Sequence, residues 1–112
     1  MSGAGAERRA AWFYRLRGYR ILARNVWLGG NELDLVARRG SRVVFCEVKE
    51  KLGESYGDPV EMVGPEKRCR LARAAEAWLA AHPEHGGLEC TFDVIAVRGS
   101  NLERVANAFS AP

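Results

Sequence analysis

Apolar residues at helical spacing indicate two helices. In the first, Ala6, Ala10, Phe13 and Tyr14 recur every three or four residues, and Gly18 is a helix stop, so a helix is expected from Ala6 to Arg17. In the second, Pro65 suits the first turn of a helix that runs to about Ala81, because proline is tolerated where no backbone donor is needed. The expected buried stripe of this helix is Leu71, Ala74, Ala75, Trp78 and Leu79.

Branched and aromatic residues in short runs, separated by glycines, indicate strands. Gly29-Gly30-Asn31 separates the first two runs, and Gly40-Ser41 separates the second from the third. The final apolar residues, Val105, Ala106 and Phe109, form an element of uncertain type. The predicted strands are Tyr19–Leu28, Glu32–Arg38, Ser41–Lys49 and Thr91–Val97.

Gly40-Ser41 is a suitable central pair for a type II′ hairpin turn, since glycine at the first position adopts a positive φ freely. With Arg39 opposite Arg42, the register places Leu35 opposite Cys46 and Val36 opposite Phe45. Continued further, it places Asp34 opposite Glu47 and Glu32 opposite Lys49. Four polar side chains would then share one patch, and the glycine-rich segment from Gly53 to Gly64 is a candidate lid over it.

Composition indicates one soluble domain. A chain of 112 residues is too short for two independent cores, and no window approaches the roughly 18 apolar residues that span a bilayer. The first residues have no apolar signal segment, so we expect a cytoplasmic protein. Cys46, Cys69 and Cys90 are odd in number and lack C-x-x-C spacing, which favours reduced thiols in a core over a disulfide or zinc framework.

The net charge of +3 is only mildly basic, but the positive charges are clustered. Two basic segments are able to neutralise phosphates, and the alternative, which charge alone favours slightly, is that they are solvated helix faces. The first contains Arg8, Arg9, Arg15, Arg17, Arg20 and Arg24, and the second contains Lys67, Arg68, Arg70 and Arg73.

Glu47 and Lys49 carry the candidate chemistry, because they appear where the third strand stops being apolar on both faces. Opposed residues in a hairpin have Cβ atoms roughly 5 Å apart, so Asp34 and Glu47 would repel each other unless a cation compensates. Mg²⁺ is a suitable compensating ion for an oxygen-rich site and assists phosphodiester hydrolysis. The alternative is a surface ion cluster that contributes less than about 1 kcal/mol.

Asp34 followed by Glu47-Val48-Lys49 on two strands of a hairpin is the D…E-x-K signature of the PD-(D/E)-x-K, or restriction-endonuclease-like, superfamily. Further blocks resemble, in order, those of the YraN family of uncharacterised bacterial proteins. The resemblance covers nearly the whole chain. The blocks are Gly18–Asn25, Asn31–Ala37, Val44–Lys49, Pro65–Lys67 and Phe92–Val97.

The YraN family is similar to archaeal Holliday junction resolvases, which implies an α/β fold with a mixed β-sheet flanked by helices and a site for Mg²⁺ or Mn²⁺. By the same resemblance Glu7 is an additional acidic ligand or a partner of the base, and the carbonyl of Val48 is a further metal ligand. Asn31 departs from the family, which usually has glycine before Glu32. Glu50 also departs from it, and alternation along the strand turns Glu50 to the far face.

Other polar residues have a less specific pattern. Asp93, inside an apolar strand, requires a partner such as an arginine, and we expect a structural role. Lys67 and Arg70 lie near a helix N-terminus, where phosphate is favoured. With Arg24 and the stacking candidate Trp27, they are the expected nucleic-acid-binding residues.

Three functional hypotheses follow. The leading one is a nuclease for nucleic acid, with branched or structured DNA as the expected substrate and a homodimer as a plausible assembly. In it Asp34, Glu47, Lys49, Glu7 and Glu32 form the active site. The second is a catalytically silent nucleic-acid-binding module of the same fold. The third is a scaffold domain whose arginines face protein partners.

Overall fold

The computed structural model describes residues 4–51 and 59–110. Two α-helices and five strands occur in this part of the chain, with short 3-10 segments before and after the second helix. The α-helices are α1 (Ala4–Arg15) and α2 (Pro65–Ala81), and the 3-10 segments are Pro59–Met62 and Pro83–His85. The strands are β1 (Arg20–Leu28), β2 (Asn31–Arg39), β3 (Arg42–Lys51), β4 (Glu89–Arg98) and β5 (Asn101–Phe109).

The five strands form one mixed sheet in the order β1-β2-β3-β4-β5. The pairs β1–β2, β2–β3 and β4–β5 are antiparallel, whereas β3 and β4 are parallel. Parallel neighbours need a long crossover, and α2 provides it between β3 and β4. The expected α/β fold, a mixed sheet flanked by helices, is confirmed, and the uncertain last element is a strand.

Each face of the sheet is covered by one helix. Alternation along β3 sends Val44, Cys46 and Val48 to the α1 side, where they pack with Ala10 and Tyr14. The intervening β3 residues face α2, and their layer includes the buried Trp78. The helical stripe is confirmed except at Leu79, which is only partly buried. In the described residues, no helix is long and apolar enough to cross a membrane.

The β2–β3 hairpin has the predicted turn and, next to the turn, the predicted register. Gly40 has a φ of +59°, whereas Ser41 is not among the residues with positive φ, as a type II′ turn requires. The ladder runs from Arg39 opposite Arg42 to Leu35 opposite Cys46 and ends there. The predicted continuation is therefore wrong: Asp34 does not pair with Glu47, nor Glu32 with Lys49, through the ladder.

The Asp34 side chain explains the end of that ladder. Its Oδ2 atom accepts a hydrogen bond of 2.9 Å from the backbone N–H of Val48. Side-chain alternation also slips here, because Leu33 packs in the α2 layer while Leu35 packs in the α1 layer. The Asp34 carboxylate therefore lies in the opening between two strands and belongs to neither apolar layer.

The turn between β1 and β2 packs closely on α2. Gly29 has a φ of +61°, and a Cβ atom built there would lie 3.0 Å from the Cα atom of Ala74. Only glycine permits both the backbone conformation and this approach. The contact brings the start of β2 against the middle of α2.

The expectations for the cysteines and for the candidate lid are met only in part or lie outside the described residues. Cys46 is buried, but Cys69 and Cys90 are exposed, because they lie on the outer face of α2 and at the beginning of β4. All three are free thiols, as expected. Of the candidate lid from Gly53 to Gly64, residues 53–58 lie outside the described residues, and Pro59–Met62 forms a 3-10 segment.

Asp93 joins α1, β4 and β5 through three hydrogen bonds. Its Oδ2 atom accepts from Tyr14 Oη at 2.6 Å and from Arg104 Nε at 3.0 Å, and its Oδ1 atom accepts from the backbone N–H of Asn107 at 2.9 Å. The side chain is only 1% exposed. The predicted structural role with an arginine partner is confirmed.

Replacing Asp93 should therefore destabilise the fold strongly. Asp93→Ala removes one partner of a buried ion pair and leaves three donors unsatisfied, so the free energy of unfolding should fall by about 3–5 kcal/mol. Urea denaturation followed by tryptophan fluorescence measures this change. Glu103→Ala, at an exposed position of β5, is the control and should change it by less than about 0.5 kcal/mol. Equal effects of the two substitutions would contradict the role of Asp93.

Candidate functional site

Two buried carboxylates meet where β2 and β3 separate. Asp34 is 6% exposed and Glu47 is 5% exposed. Asp34 is held by its hydrogen bond from Val48 N–H and interacts with Glu47. The N–H and C=O groups of one strand residue point to the same side, so the carbonyl of Val48 also faces the Asp34 side, beyond the end of the ladder. Carboxylate and carbonyl oxygens thus converge at this opening.

Two ammonium groups approach the same carboxylate from the α2 side. Lys49 Nζ lies 3.5 Å from Glu47 Oε2, and Lys67 Nζ lies 3.7 Å from it. Lys67 also donates to Oδ1 of Asn31 at 3.3 Å. Both lysines are more exposed than the carboxylates, at 27% and 31%. A ligand entering from solvent on this side would therefore meet positive charge first.

The pKa of Asp34 is raised from its ordinary value of 3.8 to about 7. Burial is the largest cause, and the charge of Glu47 is the next. The hydrogen bond from Val48 N–H acts in the opposite direction, and Glu7 adds a further negative charge nearby. A carboxyl group with this pKa is partly protonated at neutral pH and is available to a cation that offsets the repulsion.

One oxygen of Glu47 has unused bonding capacity. Its Oε1 atom is buried and has no hydrogen-bond partner among the described residues. A buried carboxylate oxygen without a donor is costly, so this oxygen is suited to accept a further positive or hydrogen-bonding partner. In the same part of the chain, no three His, Cys, Asp or Glu side chains converge closely enough to hold a metal ion. Any cation here would need backbone or water oxygens as additional ligands.

Sequence comparison identifies the family to which the chain belongs. A family model, described as the uncharacterised protein family UPF0102, matches residues 6–97. The chain belongs to the UPF0102 family. The expected YraN family is this family, so the predicted membership is confirmed.

The chain is also similar to individual UPF0102 proteins. One from Bradyrhizobium diazoefficiens is 41% identical over 98% of this chain and 82% of its own length. One from Nitrobacter winogradskyi is 41% identical over 98% of this chain and 92% of its own length. One from Serratia proteamaculans is 40% identical over 97% of this chain and 94% of its own length. The similarity thus spans both strands that contribute the carboxylates.

The predicted acidic residues of the UPF0102 protein divide into two groups. Glu7, from the first turns of α1, is 4% exposed and close enough to Asp34 to raise its pKa. Glu7 therefore joins the site from the opposite layer. Glu32 is only partly buried and lies opposite Trp27 in the β1–β2 ladder. In the described residues, no ion pair joins its side chain to Lys49, because β2 and β3 have already separated.

The predicted nucleic-acid-binding residues are also distributed. Lys67 lies in the site itself, whereas Arg70 is exposed and pairs with Glu66 at 3.2 Å. Arg24 and Trp27 are exposed on β1, and Trp27 is 72% exposed. Trp27 is therefore accessible for stacking at the end of the sheet where β2 begins.

The first basic segment does not form one surface. Arg9 donates to the carbonyls of Gly99 and Ser100 in the β4–β5 turn. Arg17 donates to the carbonyl of Phe13 and stacks on its ring, and Arg15 lies over Trp12. Arginines adjacent in sequence thus serve different local contacts.

Asn31 is a site residue for which the sequence pattern predicted no role. The resemblance to the YraN family implies glycine at this position, so the pattern pointed to no function for Asn31. It is 5% exposed, its Nδ2 group donates to the carbonyl of Glu32 at 2.7 Å, and its Oδ1 atom accepts from Lys67. The signal in the sequence that could have identified it is its position directly before Glu32 and Asp34.

The raised pKa of Asp34 makes stability depend on pH. The pKa of this carboxyl group is about 7 in the folded chain, whereas its ordinary value is 3.8. The contribution of the group to stability is therefore fully present below pH 3.8 and is lost as pH rises through 7. In metal-free buffer, the native protein should lose about 1 kcal/mol between pH 6 and pH 8, or roughly 4 to 8 °C in Tm. Thermal unfolding at both pH values measures the loss.

Asp34→Asn should remove most of this pH dependence, since the amide oxygen still accepts from Val48 N–H and does not ionise. Glu76→Gln, at an exposed position of α2, is the matched control and should keep the native dependence. The assignment is contradicted if Asp34→Asn loses as much stability between pH 6 and pH 8 as the native chain.

Proposed function

We propose that this UPF0102 protein is a Mg²⁺- or Mn²⁺-dependent nuclease that hydrolyses phosphodiester bonds in nucleic acid, with branched or structured DNA as its substrate. The observation that carries the proposal is the meeting of Asp34, Glu47 and Lys49 at the open end of the β2–β3 ladder. In a mixed α/β sheet, the D…E-x-K pattern on these strands resembles the PD-(D/E)-x-K nucleases and the archaeal Holliday junction resolvases. That resemblance supports the reaction class.

The donor set fits a hard divalent cation. Asp34 and Glu47 are buried carboxylates in mutual repulsion, Glu47 Oε1 has no partner among the described residues, and the Val48 carbonyl faces the same opening. Mg²⁺ usually binds through one or two carboxylates and keeps several waters, so two acidic side chains are sufficient. Bound there, the ion would polarise a phosphate oxygen and acidify a water molecule.

The lysines have a distinct part in the reaction. Their ammonium groups lie within 4 Å of Glu47 in the absence of substrate, where they offset its charge. When a phosphodiester enters, Lys49 is placed to neutralise the negative charge that develops on the phosphorus-bound oxygens and to hold the attacking water. Lys67, restrained by Asn31, holds a neighbouring phosphate oxygen. Fixed positive charge in a partly buried site stabilises such a transition state more than it does in water.

The surrounding surface supports a polymeric substrate. Trp27 is exposed near Glu32 and provides a face on which an unpaired base stacks. Arg24 and Arg70 are exposed cations that are available to contact the backbone of the polymer. A second copy of the chain would supply a second active site for a symmetric branched substrate.

One observation favours the alternative of a catalytically silent nucleic-acid-binding module. Both ammonium groups contact Glu47, so part of its charge is already compensated without a metal ion. If this compensation were complete, the carboxylates would serve only to hold the two strands. Metal binding and cleavage separate the two functions.

Cleavage is tested with labelled branched, single-stranded and duplex DNA in Mg²⁺ or Mn²⁺. The native chain should cleave, and Asp34→Asn and Lys49→Ala should each lower the rate by at least about 100-fold, since each removes a group that acts at the reacting phosphate. Glu103→Gln, exposed on β5, controls for contaminating nucleases and should cleave at the native rate. Salt-sensitive binding without cleavage would instead support the silent module.

Metal binding is tested by thermal unfolding at pH 8 with millimolar Mg²⁺ or Mn²⁺ alone. The ion binds only the folded site, so Tm of the native chain should rise by several degrees at saturating concentration. Asp34→Asn and Glu47→Gln should lose this rise, and Glu76→Gln should keep it. A rise of the same size in Asp34→Asn would place the ion elsewhere.

A further inference from the structure

Two ammonium groups share a single oxygen of Glu47. Lys49 Nζ lies 3.5 Å from Oε2 and Lys67 Nζ lies 3.7 Å from the same atom, whereas Oε1 has no hydrogen-bond partner among the described residues. Both distances exceed the usual range of an N–H···O hydrogen bond. The two ammonium groups also repel each other, because their charges are alike. Glu47 by itself therefore fixes neither lysine tightly.

The two lysines differ in what else holds them. Lys67 Nζ donates to Oδ1 of Asn31 at 3.3 Å. For the Lys49 ammonium group, Glu47 is the one polar contact among the described residues. Lys49 follows Glu47 on β3, whereas Lys67 lies in the first turn of α2. A change in the charge of Glu47 therefore affects the two ammonium groups unequally.

The amide of Asn31 is itself fixed. Its side chain is buried, and its Nδ2 group donates to the carbonyl of Glu32 at 2.7 Å. A backbone carbonyl only accepts and an ammonium group only donates, so both contacts specify the same orientation of the amide. Oδ1 of Asn31 is therefore an acceptor whose position does not depend on the charge of Glu47.

The Lys67 ammonium group retains capacity for a ligand. It has three N–H donors, and the contacts with Asn31 and Glu47 use two of them. The Lys67 side chain is partly exposed, so a ligand that enters from solvent reaches the remaining donor. A phosphate oxygen is a suitable acceptor, because a hydrogen bond between charged groups is stronger than one between neutral groups.

We infer that Asn31 is a positioning residue that holds Lys67 as a phosphate-binding cation when the charge of Glu47 is engaged elsewhere. The inference rests on the proposed nuclease function, in which a divalent cation takes up that charge. Lys49 then loses its contact and is free to follow the reacting phosphate. Lys67 keeps Asn31 and remains a fixed contact for the nucleic-acid backbone. The two lysines thus serve different steps, substrate binding for Lys67 and the reaction for Lys49.

DNA binding in EDTA tests the inference in the Glu47→Gln chain, which lacks the charge that otherwise holds both lysines. The probe is labelled branched DNA with duplex arms. Adding Asn31→Ala should raise the dissociation constant at least about threefold and make the slope of log affinity against log salt shallower by roughly 0.9, as the loss of one phosphate contact requires. Asn31→Ala changes no charge, so a merely structural role would leave the slope as it was. An unchanged dissociation constant and slope would overturn the inference.

A double-substitution cycle determines whether Asn31 acts through Lys67. Lys67→Met in the Glu47→Gln chain should cause at least the same losses, and combining it with Asn31→Ala should weaken binding further by less than about twofold. Losses that multiply would overturn the inference, because Asn31 would then act independently of Lys67. Asn101→Ala removes an exposed amide at the start of β5, and this matched control should bind as the Glu47→Gln chain does.

A second variant guards against misfolding of Asn31→Ala. Asn31→Gly introduces the residue that the resemblance to the YraN family implies at this position, and it also removes the acceptor for Lys67. Thermal unfolding shows that each variant is folded before binding is measured. Asn31→Gly should reproduce the weaker binding and the shallower slope, and binding equal to that of the Glu47→Gln chain would overturn the inference.

Cleavage kinetics in Mg²⁺ separate this inference from the nuclease function itself. With native Glu47, Asn31→Ala should raise KM at least about threefold and change kcat by less than about twofold, because it removes binding that substrate and transition state share. Lys49→Ala should act mainly on kcat. A chain that cleaves but whose KM does not respond to Asn31→Ala would lose this inference alone. A chain that shows the binding losses in EDTA but never cleaves would lose the nuclease alone.

Discussion

The hydrogen bond from Val48 N–H to the Asp34 carboxylate is the interaction on which the rest of the site depends. At this point β2 and β3 stop pairing, and a side-chain oxygen takes the backbone donor that a ladder partner would otherwise satisfy. The strands can separate without leaving this donor unsatisfied. The opening between them holds two acidic side chains at the boundary of two apolar layers.

Burial and repulsion then determine the chemistry of this opening. Asp34 lies between the α1 and α2 layers, so solvent does not screen it from Glu47, and the pKa of Asp34 rises to about 7. Lys49 comes from the same strand as Glu47, and Lys67 comes from α2, which is close because Gly29 lets the β1–β2 turn pack on the helix backbone. The charge of Glu47 is thus offset by one lysine from its own strand and by one that helix packing brings to it.

Asp93 is also a buried carboxylate, but its charge is compensated by other groups of the protein. It too lies at an irregularity in strand pairing, between Phe92 and Val94 on β4. Three donors surround its two oxygens, including a guanidinium, so its charge is satisfied internally. Asp34 and Glu47 have fewer donors and a bare oxygen among the described residues. The contrast separates a carboxylate that holds the fold together from a pair that is suited to a ligand.

The sequence by itself determined the two helices, the first four strands, the hairpin register near the turn and the family, because periodicity, glycine positions and short motifs are local properties. It placed Asp34, Glu47 and Lys49 on neighbouring strands and identified Asp93 as structural. Only the tertiary structure decided where the β2–β3 ladder ends, that Asn31 restrains Lys67 beside Glu47, and that Glu32 stands apart. It also dispersed the first basic segment, whose arginines make separate local contacts. These outcomes depend on strand separation and on contacts between residues distant in sequence, which no local pattern encodes.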